Sequence, residues 1–96
     1  MGQPTSPFAP PALLRLGQGL LAEGDPDRAA AYLERLVIDY PRSAERALAY
    51  LWLARARRAA RQPDAACRAA DDGLALAILE PALAELLRAE GAACRA

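Results

Sequence analysis

A Pro-Asp pair occurs at positions 26–27 and again 37 residues later, at 63–64. Proline suits the first position of a helix, where its missing N–H costs no hydrogen bond, and aspartate suits the positive end of the helix. Each pair therefore predicts the start of a helix. The same shift superimposes Ala29 on Ala66, Leu16-Gly17 on Leu53-Ala54, Leu13 on Tyr50 and Val37 on Leu74. A repeat of this length indicates a stack of similar units.

Between these signals, leucine and alanine recur every three or four positions, which is the spacing of one helical face. Residues that favour strands are rare, because the β-branched set consists of Thr5, Val37, Ile38 and Ile78. We predict five helices: from Ala12 to about Gly24, from Pro26 to about Ile38, from about Ser43 to Ala60, from Pro63 to about Ala77, and from Pro81 to about Gly91.

Local signals set the ends of these predicted helices. Asp25 and Ser43 are expected to cap the second and third helices with their side chains. Pro81 is expected to separate the last two helices rather than to kink one long helix, and Gly91 to end the last one. The proline-rich residues 1–11 are interpreted as a flexible tail, and residues 12–96 as one helical domain.

The first unit resembles the tetratricopeptide repeat (TPR). The matching residues are Leu13-x-x-Leu16-Gly17-x-x-Leu20-x-x-x-Gly24-Asp25-x-x-x-Ala29, followed by Tyr40-Pro41. The resemblance implies antiparallel helical hairpins stacked as a short all-α solenoid, with Gly17 and Ala29 where the two helices approach most closely. The step of 37 residues exceeds the usual repeat of about 34 and resembles the longer variant of bacterial envelope-assembly lipoproteins and division-associated periplasmic repeats.

The second unit departs from this pattern. Arg57 stands where Leu20 stood, Arg61 replaces Gly24, Ala70 replaces Leu33, and Gly73 replaces Leu36. We expect this unit to be more thinly packed, or modified for a partner. The resemblance covers residues 12–77, about two repeats, and residues 81–93 are expected to form a capping helix over the last seam.

The composition argues against an enzyme and against a metal or cofactor site. The chain has no His, Lys or Asn, and its aliphatic hydroxyls are Thr5, Ser6 and Ser43, so a Ser-His or Cys-His nucleophile is excluded. Cys67 and Cys94 are too few for a zinc pattern, and their spacing alone does not predict a disulfide. We expect them to be buried thiols.

The resemblance implies a binding groove, because the first helix of each TPR hairpin lines the concave side. The positions that match this lining are Leu14, Arg15, Gln18, Leu21, Leu48, Leu51, Trp52, Arg55 and Arg58. Trp52 beside Arg55 and Arg58 would offer an apolar anchor and cationic donors to an acidic or C-terminal peptide segment. The familiar carboxylate-binding groove of the family relies on Lys and Asn, which this chain lacks. Alternatively, Trp52 lies in the core and the arginines form a solvated face.

Charge distribution leaves two other functions open. The 12 arginines balance 12 acids, but residues 42–68 carry a net charge of +5, between segments of −2 and −3. Seven arginines form this basic belt: Arg42, Arg46, Arg55, Arg57, Arg58, Arg61 and Arg68. Besides a peptide-binding adaptor, the sequence is compatible with an assembly subunit that docks on itself or on a larger complex. A nucleic-acid-binding role for the belt is the least favoured hypothesis.

The sequence carries no signal peptide and no apolar stretch approaching the ~18 residues of a membrane span. We therefore expect a cytoplasmic protein, or a periplasmic one if a leader has been removed.

Overall fold

The computed structural model describes residues 8–94, which form five helices and no strand. The helices are α1 (Ala9–Ala22), α2 (Pro26–Asp39), α3 (Arg46–Ala59), α4 (Pro63–Leu76) and α5 (Pro81–Ala92). Both ends of α3 lie 37 positions after those of α1, and both ends of α4 lie 37 positions after those of α2. The predicted all-α fold and its repeat are confirmed.

The first helix begins earlier than predicted. It starts at Ala9 and includes Pro10 and Pro11 in its first turn, so the helix extends three residues into the segment predicted as a tail. Proline is tolerated there because the first N–H groups of a helix have no partner within it. Pro10 is buried, which gives this turn a packing role. Residues 1–7, the rest of the predicted tail, lie outside the described residues.

The two hairpin turns have the same backbone hydrogen bonds. The N–H groups of Gly24 and Asp25 donate to the carbonyls of Leu21 and Leu20, and the corresponding groups of Arg61 and Gln62 donate to the carbonyls of Arg58 and Arg57. Gly24 has φ +83° and Arg61 has φ +64°. The left-handed turn that glycine suits is therefore kept in the second unit, where an arginine adopts it.

Two of the predicted helix ends differ in detail. The Asp25 side chain caps α2 by accepting from the Arg28 N–H, as predicted, at 3.4 Å. Ser43, however, lies two residues before the Glu45 cap of α3; its hydroxyl accepts from the Glu45 N–H and donates to the Glu45 carboxylate. It stabilises the turn before the helix rather than its first N–H groups. Gly91 lies inside the last turn of α5, which ends one residue later.

The core consists of two clusters of buried side chains. The larger cluster contains residues of the four helices α1, α2, α3 and α4, and it includes the fully buried Leu33 and Leu36 of α2. Gly17 faces Leu33, and a Cβ atom built on it would lie 2.4 Å from Leu33 Cγ. Ala29 is fully buried. The close approach expected at Gly17 is thus present.

The second cluster is smaller and holds α5. It consists of Leu51, Ala77, Ala84 and Leu87. Gly73 is buried beside it: a Cβ atom there would lie 2.7 Å from Tyr50 Cβ and 2.8 Å from Leu87 Cδ2. Gly73 in place of Leu36 predicts thin packing, but this glycine marks a second point of close helix approach.

Residues 77–80 separate α4 from α5, so Pro81 begins a new helix, as predicted. Within the described part of the chain, no helix has the length and apolar character required to cross a lipid bilayer.

Candidate functional site on the inner face

The first helix of each hairpin contributes to one side of the molecule. Besides the contacts between consecutive helices, α1 packs against α3 and α3 packs against α5. We call the side formed by α1, α3 and α5 the inner face. Its central element is α3, which has neighbours on both sides.

Two of the nine predicted groove residues are not available to a ligand. Leu14 is 9% exposed and belongs to the larger core cluster, and Leu51 is 2% exposed and belongs to the smaller one. Leu14 of α1 and Leu51 of α3 therefore contribute to helix packing and not to an open surface. Arg15 is exposed, and the others are partly exposed: Gln18, Leu21, Leu48, Trp52, Arg55 and Arg58.

Trp52 is partly buried and packs against the larger core cluster. The Arg55 guanidinium carbon lies 4.9 Å from the centre of its ring system, which is within the range of a cation–π contact. Trp52 therefore combines the two alternatives from the sequence. Its indole packs against the core, as a core residue would, and it also contacts the Arg55 guanidinium, as a surface residue would.

Arg55 and Arg58 are not free cations. Arg55 Nε donates to Glu90 Oε2 at 3.1 Å, and Arg58 donates through Nη1 to Glu90 Oε1. Arg58 Nη2 also donates to the Glu90 backbone carbonyl at 2.9 Å. One carboxylate from α5 thus bridges two arginines of α3. In this structure Glu90, which no local pattern in the sequence links to these arginines, is their shared partner.

Cys67 and Cys94 form a disulfide bond, with their Cα atoms 6.0 Å apart. The expectation of buried thiols is therefore wrong: Cys94 is exposed and Cys67 is only partly buried. The bond joins the first half of α4 to the residue pair that follows α5. Together with the turn at residues 77–80, it connects α5 to α4 at both of its ends.

Other members of the basic belt also have partners within the chain. Arg46 Nε donates to the Val37 carbonyl at 2.9 Å, near the C-terminal end of α2, where helix carbonyls lack partners. Arg57 forms an ion pair with Glu34 of α2 and donates to Gln62. These arginines connect helices. The belt is therefore largely a set of internal contacts, which neither alternative from the sequence anticipated.

The far end of the stack exposes apolar side chains. Ile78 is 82% exposed and Leu79 is 90% exposed, and both lie in the turn between α4 and α5. Leu76, the last residue of α4, is 41% exposed, and Leu86, in the middle of α5, is 46% exposed. Helix α5 covers α4, but part of its own outer side and this turn remain uncovered.

Among residues 8–94, no group of three or more His, Cys, Asp or Glu side chains is arranged to hold a metal ion. The carboxylates of Glu90, Glu34 and Asp25 bind arginine or backbone groups, and that of Glu45 accepts from the Ser43 hydroxyl.

Comparison with known proteins agrees with this architecture. A family model described as tetratricopeptide repeat matches residues 11–43, which include α2 and most of α1. No curated protein and no solved structure gave a significant match. Tetratricopeptide repeats generally mediate protein–protein interaction. The match, the five packed helices and the 37-residue spacing of their ends identify the chain as a TPR-like helical repeat.

Proposed function

We propose that this protein is a non-catalytic adaptor that binds a peptide or protein segment along its inner face. The family match supports a protein partner, and the inner face is the side on which the first helices of the repeats lie together. The binding surface we propose consists of the partly or fully exposed residues of the predicted groove: Arg15, Gln18, Leu21, Leu48, Trp52, Arg55 and Arg58.

The contact between Trp52 and Arg55 carries this proposal. It places a large apolar ring and a guanidinium group side by side on the central helix, in one partly exposed patch. Tryptophan and arginine are the residue types that contribute most often to binding hot spots. A ligand with an apolar side chain near an acidic group would contact both.

The single tryptophan of the chain makes the test direct, because its emission reports on this patch alone. Peptides selected from a random display library would be titrated while the Trp52 emission is recorded. We expect the emission to change saturably as peptide is added. The variant Arg15→Glu, which reverses an exposed charge on α1, should bind the selected peptides at least about fivefold more weakly than the unchanged protein. Arg42→Glu, outside the predicted groove, is the matched control. Selected peptides that leave Trp52 emission unchanged would contradict binding at this face.

A role as an assembly subunit is the second candidate. The exposed Ile78 and Leu79 at the end of the stack favour it, because large apolar side chains grouped on a surface are often covered by a partner. Light scattering at rising protein concentration would measure the mass. A stable oligomer that Leu79→Glu converts to a monomer would support assembly, and a monomer throughout would argue against self-association.

Nucleic-acid binding is less well supported than either of these. Four arginines of the basic belt, Arg46, Arg55, Arg57 and Arg58, already bond to groups of the chain itself. Their use on phosphates would require those contacts to break. Salt-sensitive retardation of a DNA fragment would revive this alternative.

The Cys67–Cys94 disulfide bears on the compartment. Structural disulfides persist in oxidising compartments and are rare in the cytosol of most organisms. We therefore propose that the protein acts in an oxidising compartment, which is the second of the two locations left open by the sequence. Alkylation of free thiols in native cell extracts would test this: an unreactive protein supports it, and a fully alkylated one contradicts it.

A further inference from the structure

Glu90 occupies the position on the inner face that suits an acidic ligand. One oxygen of its carboxylate accepts from Arg55 and the other accepts from Arg58, and its side chain is 17% exposed. The two arginine side chains are each 34% exposed. Removing Glu90 from this position would leave two neighbouring guanidinium groups, beside Trp52, without their shared acceptor.

We propose that Glu90 is an internal competitor for the Arg55–Arg58 pair, and that the partner of this protein is a peptide segment whose carboxylate displaces it. The inference rests on the proposed function, since it names the chemistry of the ligand bound at the same face. A carboxylate that accepts from two guanidinium groups makes charge-assisted hydrogen bonds, which are the strong ones. Another carboxylate can replace it without a change in the donors.

The way α5 is held suits a competitor that can be exchanged. Its buried residues are Ala84, Leu87 and Gly91, and the two with apolar side chains, Ala84 and Leu87, belong to the small second cluster rather than to the main core. Elements with few buried side chains open locally at lower cost than the rest of a fold. The end of α5 can therefore leave α3 while α1 to α4 keep their packing.

The disulfide limits how far that end can go. Cys94 follows Glu90 by four residues and is bonded to Cys67 of α4. After displacement, Glu90 therefore stays close to the arginine pair at a high effective concentration. A ligand competes well only if it also gains contacts elsewhere on the inner face. The disulfide therefore lowers the affinity for acidic peptides that contact the arginine pair alone.

The test compares two variants of α5 with the same change in charge. Glu90→Gln removes the carboxylate that bridges the two arginines. Glu85→Gln removes an exposed carboxylate that lies earlier in the same helix and is not the one that bridges them. The probe is a fluorescein-labelled hexaglutamate peptide, with labelled hexaglutamine as its neutral counterpart, and fluorescence anisotropy gives the affinity. We expect Glu90→Gln to bind hexaglutamate about tenfold more tightly than the unchanged protein, and Glu85→Gln to stay within about twofold.

A second route leaves Glu90 in place and removes its tether. The double variant Cys67→Ser/Cys94→Ser is expected to bind hexaglutamate more tightly than the disulfide-bonded protein, by about threefold or more. Adding Arg55→Gln to Glu90→Gln should abolish the gain. Circular dichroism of each variant measures whether its helical content matches that of the unchanged protein. If Glu90→Gln does not fold, the double cysteine variant still tests the inference.

The outcomes separate this inference from the proposed function. Equal binding of hexaglutamate by the unchanged protein, Glu90→Gln and Glu85→Gln would overturn the competitor role while leaving peptide binding intact. Binding of hexaglutamate by no variant, together with no peptide from the display library, would overturn both. Tighter binding of Glu90→Gln to a labelled twelve-nucleotide oligothymidine than to hexaglutamate would overturn the carboxylate partner in favour of a phosphate.

Discussion

Gly17 of α1 lies directly against the side chain of Leu33 of α2, in a space that no Cβ atom fits: one built on Gly17 would come within 3.0 Å of three Leu33 carbons. We predict that Gly17→Ala destabilises the protein by about 1–3 kcal/mol, because the added methyl group would force the fully buried Leu33 to shift within the core. Urea unfolding followed by circular dichroism measures the change.

Gly19 provides the control on the same helix. A Cβ atom built there meets nothing within 4 Å. Gly19→Ala should therefore stabilise α1 by about 0.5–1 kcal/mol, since alanine loses less conformational entropy in a helix. Equal effects at the two positions would show that helix propensity, and not the approach of α1 to α2, governs Gly17.

Gly73 should behave like Gly17 rather than like Gly19. A Cβ atom there would overlap Tyr50 Cβ, which is fixed close to the backbone of α3, as well as Leu87 of α5. We predict that Gly73→Ala lowers the free energy of unfolding by about 1–3 kcal/mol. A thermal melt would show a decrease in Tm of several degrees, and an unchanged Tm would mean that the second unit is as loosely packed as its sequence suggested.

Arg61 has a left-handed backbone conformation that the first unit gives to glycine. Such a conformation costs a residue with a side chain about 1–2 kcal/mol. Arg61→Gly should therefore stabilise the protein by about 0.5–1 kcal/mol, after allowing for the extra flexibility of glycine in the unfolded chain. Arg68→Gly, at an exposed position inside α4, should destabilise it by about 1 kcal/mol. The opposite signs of the two changes are the result to check by denaturant unfolding.

Reduction of the Cys67–Cys94 disulfide should lower the free energy of unfolding by about 3–4 kcal/mol, because the bond closes a loop whose ends are separated by 27 residues. For a domain of this size the corresponding decrease in Tm is at least about 10 °C. Melting curves with and without a phosphine reductant measure it. The variant Cys67→Ser/Cys94→Ser should melt at the reduced temperature under both conditions, and a protein insensitive to reductant would contradict the prediction.

The features that the sequence predicts well are those encoded by neighbouring residues. Pro26 and Pro63 fix the start of two helices to the residue, and the turn glycine Gly24 is recognised from its place in the repeat. The start of α1 was missed because proline both blocks a helix interior and suits a first turn, and only packing distinguishes the two. Pro10 is buried, so the helix extends to include it.

The site depends on contacts that no local pattern contains. Glu90 meets Arg55 and Arg58 across 35 and 32 positions in the sequence. In the sequence alone, Glu90 does not differ from the other 11 acidic residues of the chain. A spacing of four residues from Cys94 would place both on one side of a helix, but α5 ends before Cys94, and the partner of that side depends on how α5 packs. For the same reason the pairing of the cysteines required the fold to be known.

The disulfide has a consequence for how this protein would respond to a protease. The turn between α4 and α5 exposes Ile78 and Leu79 almost completely, which makes it an accessible place for cleavage. A nick there would not release α5, because the Cys67–Cys94 bond spans the cut and keeps the two fragments covalently joined. The cleaved molecule would separate into two pieces only when a reductant is added.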